Sequence, residues 1–181
     1  MKNILFCLLV ITISLASYAQ VHERWDVKTL SDGFVPDTNK VKKITVAKIE
    51  PILKVPVRNT QPRLNFEKQV IRITGTIRRV QLEKGTAAKP GDMDYHIEVS
   101  DGTIGDSTFV CEAVDPENSV AKTSRYISNF IKVRMLAGQL KVGDKVTFTG
   151  ILFQDKFHSP SKLRTRNFLE MHPILKAGIV K

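Results

Sequence analysis

The amino-acid sequence predicts an all-β domain with one helix, folded as a closed five-stranded Greek-key barrel behind an extended N-terminal arm. The first observation is that residues 69–80 and 145–153 alternate between apolar and polar side chains, each around an inward glycine, Gly75 or Gly150. Such a glycine marks a bulge or bend, which the strands of a small barrel require. The second observation is the predicted order of strand, strand, strand, helix, strand, strand. That order is typical of an oligonucleotide/oligosaccharide-binding (OB) fold, which we predict over residues 68–176.

The first predicted strand, residues 69–80, has the clearest pattern. Ile71, Ile73 and Ile77 face one way, and arginine and threonine side chains face the other. Period two with many β-branched residues is typical of a half-buried strand. The fourth predicted strand repeats the pattern, so both should have one face in the core.

The other three predicted strands are shorter and cover residues 94–100, 107–114 and 167–173. Because alternate residues of a strand share a face, the second strand should place Asp94, His96 and Glu98 on the outward side. Glu112 of the third strand is expected on the same side. The outward face of the second and third strands is therefore predicted to be acidic.

The single long helix is predicted at residues 122–139. Apolar side chains recur there at helical spacing, Ser124 is a suitable N-cap, and Gly138 is a suitable end. In the predicted barrel this helix should plug one end.

Residues 1–19 have the pattern of a signal peptide: Lys2, an apolar run at residues 4–15, and small residues up to Ala19. The run is shorter than the roughly 18 apolar residues that a membrane-spanning helix needs. The pattern predicts an exported protein, periplasmic or extracellular, without a transmembrane anchor. Cleavage would also remove Cys7, so stability should come from a packed core rather than from an internal disulfide.

Residues 20–67 are predicted to be an arm that wraps the barrel rather than a second domain. We expect one short strand at residues 22–30, where Trp25 should anchor the arm, and a turn or two of helix at residues 45–53. Prolines and turn residues interrupt the remainder, which leaves too few periodic apolar positions for a separate core. Residues 177–181 are expected to be a tail.

The charge balance permits an anionic partner. The chain has a formal net charge of +10, and removal of Lys2 with the signal peptide would leave +9. A basic surface attracts polyanions such as nucleic acid or anionic glycan. The predicted binding residues lie in the loop between the last two strands: Lys156, Phe157, Lys162, Arg164 and Arg166. The acidic face of the second and third strands, which has no aromatic platform, weakens the nucleic-acid interpretation.

Histidines and carboxylates suggest a second kind of site. Asp94 and His96 form one acid-x-His pair, and Glu170 and His172 form another. Imidazoles and carboxylates bind divalent metals and also act as general acids and bases. The residues predicted to converge on a possible divalent metal are Asp94, His96, Asp155 and His158. In the alternative interpretation each histidine only fixes local structure, and we assign that structural role to His172.

Several short motifs resemble an uncharacterised family of exported bacterial proteins. They are Trp25-Asp-Val-Lys-Thr-Leu, Asp92-Met-Asp-Tyr-His96, Thr149-Gly150 followed by Phe153, Asp155 and His158, and Glu170-Met-His-Pro173. The basic segment at residues 159–166 departs from the glycine-rich loop of that family. The resemblance implies export and a compact OB-fold-like domain, and it carries no known activity.

Two function classes therefore stay open. The first is a non-catalytic, monomeric binding module for an anionic ligand. The alternative is a nuclease-like, metal-assisted hydrolase. We assign no catalytic residue, because the sequence has no Ser-His-Asp spacing, Gly-rich phosphate loop or His-Glu-x-x-His motif.

Overall fold

The computed structural model describes residues 24–85, 91–156, 164 and 167–180. The predicted signal peptide lies outside these residues and stays a prediction. The described elements are α1 (Trp25–Lys28), β1 (Val41–Lys43), α2 (Val46–Ile49), β2 (Val70–Leu82), β3 (Tyr95–Ser100), β4 (Phe109–Ala113), α3 (Ile127–Ala137), β5 (Lys145–Gln154) and β6 (Leu169–Ile179). Short 3-10 turns at Asn65–Lys68 and Ala121–Thr123 precede β2 and α3.

The strands form one closed barrel. Their order is β1-β2-β3-β4-β6-β5, and β2 also pairs with β5, which closes the sheet. Within the barrel, β4 and β6 are parallel and the other neighbours are antiparallel. This is the OB-fold arrangement, and the predicted fold class is confirmed. Strand β1 comes from the arm and joins the outside of β2 as a parallel neighbour.

Strand β2 serves both halves of the barrel. Its first part, from Val70 to Thr76, pairs with β5, and its second part, from Thr76 to Leu82, pairs with β3. Gly75 lies at this changeover, where an added Cβ would sit 2.4 Å from the carbonyl oxygen of Ser100. The backbones therefore approach too closely for any side chain at this position.

Gly150 meets the same constraint on β5. The pairing between β5 and β6 shifts register on both sides of Gly150. A Cβ there would lie 2.3 Å from the carbonyl oxygen of Pro173. The irregular pairing brings the two backbones together at this glycine.

The barrel interior is filled by aliphatic and aromatic side chains from all five strands. Helix α3 contributes Val133 and Ala137 to this core. The helix is shorter than predicted, because residues 121–123 form a separate 3-10 turn and Tyr126 is the N-cap. A second cluster, which includes Leu30 of the arm and Phe130 of α3, packs on the outside of the barrel.

The arm differs from its prediction near its start. Residues 25–28 form helix α1 instead of a strand. Trp25 is only half-buried, whereas Val27 and Arg24 are almost fully buried. In the described structure, Arg24 makes the main contacts that hold this segment against the barrel. The sequence suggested Trp25 for that role.

Arg24 and Glu67 form a buried ion pair that joins the arm to β5. A guanidinium nitrogen of Arg24 lies 2.5 Å from Glu67 Oε2. Arg24 also donates to the carbonyl of Gln154 at 3.0 Å, and Glu67 Oε1 accepts from the backbone N–H of Gln154 at 2.9 Å. Both charges are thus paired and hydrogen-bonded, which is the condition for burying them at acceptable cost.

Within the described part of the chain, none of the helices has the length and apolar character needed to cross a membrane.

We expect Gly150→Ala to destabilise the barrel strongly, because the new methyl group would collide with the backbone of Pro173. Forcing an extra carbon into a packed site costs about 1–3 kcal/mol. Gly178→Ala on β6 is the matched control, since nothing lies within 4 Å of a Cβ there. Urea unfolding of both variants tests this expectation, and equal midpoints would contradict it.

Candidate metal centre

The outer face of β3, β4 and β6 carries a cluster of buried acidic and histidine side chains. The sequence predicts an outward face here, but the face is not open to solvent, and Lys28 of the arm and Arg164 pack against it. Six residues of the cluster are at most 7% exposed: Asp94, His96, Glu98, Glu112, Glu170 and His172. Burying so many ionisable groups is costly unless they compensate one another.

Strand register brings these residues together from distant parts of the sequence. Antiparallel pairing of β3 with β4 places His96 directly opposite Glu112. Parallel pairing of β4 with β6 aligns Cys111 with Met171, so Glu112 and His172 follow on neighbouring strands. Since side chains two apart share a face, Glu170 joins them.

Glu112 lies at the centre of the cluster. Its Oε1 is 3.2 Å from Nδ1 of His96, and its Oε2 is 3.1 Å from Nε2 of His172. Each oxygen of one carboxylate therefore faces a different imidazole ring.

His172 is fixed on both sides of its ring. Nε2 also lies 3.1 Å from Oδ2 of Asp94, and Nδ1 lies 3.1 Å from the backbone carbonyl oxygen of Lys28. A carbonyl can only accept, so Nδ1 carries a proton and donates it to Lys28. Asp94 is held in turn by the N–H of Asp115, which donates to its other oxygen at 2.6 Å.

His96 has the corresponding arrangement nearer the surface. Its Nδ1 lies 3.4 Å from Oε1 of Glu83, and its Nε2 lies 3.5 Å from Oε1 of Glu98. Thr108 donates its hydroxyl to the other oxygen of Glu98 at 2.9 Å. The side chain of Glu83 is 37% exposed, so this part of the cluster reaches the surface.

Two further basic side chains lie at the other border of the cluster. The amine of Lys28 is 3.8 Å from a carboxylate oxygen of Asp92, and a guanidinium nitrogen of Arg164 is 3.0 Å from Oε2 of Glu170. Oε1 of Glu170 is buried and makes no hydrogen bond to the described residues.

The carboxylates hold both histidines in the charged form when no metal competes. Burial lowers the pKa of His96, but hydrogen bonds to Glu112, Glu83 and Glu98 outweigh it and raise that pKa to about 11. Burial also lowers the pKa of His172, and its bonds to Asp94 and Glu112 raise it to about 10.

Burial and the neighbouring charges also shift the pKa values of the carboxyl groups and of Lys28. Burial, reinforced by Asp94 and Glu112, raises the pKa of Asp92 to about 7. The hydrogen bond from His96 is the largest influence on Glu98 and lowers its pKa to about 2. Burial lowers the pKa of Lys28, but surrounding carboxylates, above all Glu112, raise it well above its usual value.

The structure brings together only part of the predicted metal set. Asp94 and His96 belong to the cluster, together with Glu112. Asp155 lies at its edge, with one oxygen 4.0 Å from a guanidinium nitrogen of Arg164. His158 lies outside the described residues. His172, to which we assigned only a structural role, shares its Nε2 with two carboxylates.

Two residue triads in the described chain lie close enough together to hold a metal ion. In each, one ligand atom per residue lies within 4.8 Å of the others. The inner triad is Asp94, Glu112 and His172, and the outer triad is Glu83, His96 and Glu112. The sequence places Glu112 on the same face as His96, but neither Glu112 nor Glu83 was predicted as a metal ligand, because only strand pairing shows how close they lie to His96.

The predicted basic binding loop is described only in part. Arg164 is 7% exposed and pairs with Glu170, so in this structure it supports the cluster instead of facing a polyanion. Lys156 is half-buried. Phe157, Lys162 and Arg166 lie outside the described residues.

Comparison with protein-family models gives no match, and comparison with curated proteins gives none either. Among solved structures, the chain is similar to OBody AM3L09 bound to hen egg-white lysozyme, with 12% identity and a TM-score of 0.43 over 65% of this chain and 86% of that chain. It is also similar to a chain of the S. pombe Stn1-ten1 complex, with 13% identity and a TM-score of 0.39 over 62% of this chain and 58% of that one. A third similarity is to Entamoeba histolytica asparaginyl-tRNA synthetase, with 17% identity and a TM-score of 0.37 over 72% of this chain and 24% of that one.

We expect the metal-free protein to lose stability as pH rises from about 6.5 towards 10. The folded state holds protons on His96 and His172 more tightly than the unfolded chain does, since their pKa values are about 11 and 10. That stabilisation is complete below the unfolded pKa and disappears as pH rises through the folded pKa. Urea unfolding in the presence of a chelator, from pH 6 to 10, measures how the free energy of unfolding changes with pH. His96→Gln should reduce the slope, and a flat profile in the parent protein would contradict the assigned charges.

Proposed function

We propose that this protein is an exported OB-fold module that binds a divalent metal ion in the inner triad of Asp94, Glu112 and His172. The observation that carries the proposal is the position of Nε2 of His172, which is 3.1 Å from a carboxylate oxygen of each partner. The ring's other nitrogen donates to the carbonyl of Lys28. In neutral His172 the Nε2 lone pair would therefore face two carboxylates, an arrangement that a cation between them stabilises.

The spacing of the ligand atoms suits such an ion. Ligand atoms bound at about 2.0 Å in a tetrahedron lie about 3.3 Å apart. In the structure, Nε2 of His172 lies 3.1 Å from an oxygen of Asp94 and 3.1 Å from an oxygen of Glu112. One imidazole and two carboxylates are a common ligand set for zinc, and the same donors accept manganese.

The surroundings of the inner triad match those of protein metal sites. Metal-bound histidine generally donates its second N–H to a carbonyl or carboxylate, which fixes the ring, and bound carboxylates are themselves hydrogen-bonded. Here Lys28 supplies the carbonyl for His172, and the N–H of Asp115 holds Asp94. The arm therefore contributes to the site through its backbone.

Asp94→Asn tests the proposal, because the amide keeps the shape of the side chain and can still accept from Asp115 while it removes an anionic ligand. We expect the parent protein, residues 20–181, to retain about one Zn²⁺ or more after dialysis and the variant to bind it at least tenfold more weakly. Metal analysis and calorimetric titration measure this.

Asp106→Asn is the matched control, since Asp106 is 69% exposed and pairs with Arg78 on the surface. Equal zinc affinity in the two variants, or a parent protein that binds no zinc, would rule out the inner triad. The cluster would then be an internal ion-pair network.

Hydrolysis is the catalytic version of the same proposal. Three protein ligands leave a coordination position that holds water in catalytic zinc sites. Cleavage of single-stranded DNA that requires the metal and is lost in Asp94→Asn would make the protein a hydrolase. Zinc binding without turnover would make it a binding module.

An anionic ligand is the second candidate, favoured by a basic row that crosses the barrel. Cross-strand pairing aligns Lys43 of β1 with Arg72 of β2, Arg72 with Thr149 of β5, and Thr149 with Lys176 of β6. Lys43 and Lys176 are exposed, and Arg72 is half-buried. We define these three basic residues as the basic row. Strands about 4.8 Å apart give it a length of about 14 Å, enough to contact successive charges of a polyanion.

Replacing all three residues of the basic row with alanine should weaken binding to single-stranded DNA and flatten its salt dependence. Binding releases counterions in proportion to the phosphates neutralised. Losing three contacts should therefore reduce the slope of log binding constant against log salt concentration by about 2. A variant with Lys48, Lys122 and Lys141 replaced by alanine removes the same charge from other exposed positions. Filter-binding titrations from 20 to 300 mM salt measure both. The same slope in both variants would exclude the basic row, and no binding at low salt would exclude the polyanion.

A further inference from the structure

We infer that the cluster holds two metal ions, the second in the outer triad of Glu83, His96 and Glu112, with the carboxylate of Glu112 bridging the pair. This inference rests on the proposed metal-binding function and extends it from one ion to a dinuclear centre. It identifies ligand sets for both ions and a shared ligand that neither the sequence motifs nor the comparisons assign.

The bridging geometry follows from the two oxygens of Glu112. Oε1 faces Nδ1 of His96 at 3.2 Å, and Oε2 faces Nε2 of His172 at 3.1 Å. A carboxylate that binds one ion through each oxygen holds the ions at the separation typical of two-metal sites, about 3.5–4 Å. Glu112 therefore serves both triads without any change in its position on β4.

The outer triad repeats the design of the inner one. Nδ1 of His96 faces carboxylate oxygens of Glu112 and Glu83, at 3.2 and 3.4 Å. Its other nitrogen, Nε2, lies 3.5 Å from Glu98, which is itself held by the hydroxyl of Thr108. A carboxylate that orients a metal-bound imidazole is a common feature of protein metal sites. Glu98 occupies that position for His96, as the carbonyl of Lys28 does for His172.

One buried carboxyl oxygen near the two triads has no hydrogen-bond partner in the described structure. Oε1 of Glu170 has no hydrogen-bond partner among the described residues, although this side chain is only 1% exposed. Burying a carboxylate oxygen without a partner is costly. Glu170 belongs to neither triad, but its carboxyl group interacts electrostatically with Glu112, so this oxygen is a candidate acceptor for metal-bound water.

The two triads differ in access to solvent. Asp94 and His172 are 0% exposed, whereas the side chain of Glu83 is 37% exposed. An ion in the outer triad can exchange with solution more readily than one in the inner triad. We expect the second equivalent of metal to bind more weakly and to be removed first by a chelator.

Mn²⁺ titration of the metal-free protein, followed by electron paramagnetic resonance, tests this inference. Two ions joined by Glu112 should give a spin-coupled spectrum at two equivalents. Glu83→Gln lies near the surface and should leave the fold intact. It should retain one ion with an uncoupled six-line spectrum and bind the second at least tenfold more weakly. Glu117→Gln is the control, since Glu117 is 79% exposed and pairs with Lys122.

The outcomes separate this inference from the proposed function. One ion in the parent protein, lost in Asp94→Asn and unaffected in Glu83→Gln, would overturn the dinuclear centre and leave the inner site intact. Two ions without spin coupling would overturn the bridge. A parent protein that binds no manganese and no zinc would overturn both proposals.

Discussion

The constraint on which much of this structure depends is the burial of the Glu112 carboxylate between two imidazole rings. An isolated carboxylate in the protein interior costs several kcal/mol or more, so it must be compensated at short range. His96 and His172 provide that compensation from two neighbouring strands. Charge pairing on the outer face therefore adds to the backbone pairing and the apolar packing that hold β3, β4 and β6 together.

The arm is part of this solution. The backbone carbonyl of Lys28 accepts from His172, and the ion pair of Arg24 and Glu67 holds the start of the arm against β5. Without these contacts, one face of the barrel would be more exposed, and the ring of His172 would lose one of the contacts that orient it. The arm is thus held to the barrel by buried polar contacts, although little of the arm's own sequence is periodic.

The fold could be predicted from the sequence because its signals are local. Alternation in β2 and β5 and the glycines at positions 75 and 150 depend on neighbouring residues, and the closed barrel with this strand order is confirmed. The short helix at Trp25–Lys28 was predicted as a strand. Its conformation depends on what Arg24 and Val27 contact in the folded protein, and no short pattern encodes those contacts.

The site was harder to predict for a related reason. Period two correctly places Asp94, His96 and Glu98 on one side of their strand, but it does not show that other residues bury that side. Glu112 contacts both histidines because β4 lies between β3 and β6 in a particular register, and the sequence pattern does not show which strands are neighbours. Likewise, Arg164 lies in a basic stretch of sequence that suggested polyanion binding. Only its ion pair with Glu170 shows that this side chain is buried inside the protein.

The parallel pairing of β4 with β6 has a consequence for when an ion could bind. It is the pairing that places His172, near the end of the chain, beside Glu112. Until the last strand has docked, the inner triad does not exist, and a partly synthesised or unfolded chain has no preformed site with which to compete for metal. Metal affinity would then appear only with barrel closure and would add to the stability of the closed form. If the inner triad binds metal as proposed, the protein would take the ion from the compartment in which it folds, so the metal content of that compartment, as much as the ligand set, would decide which ion it carries.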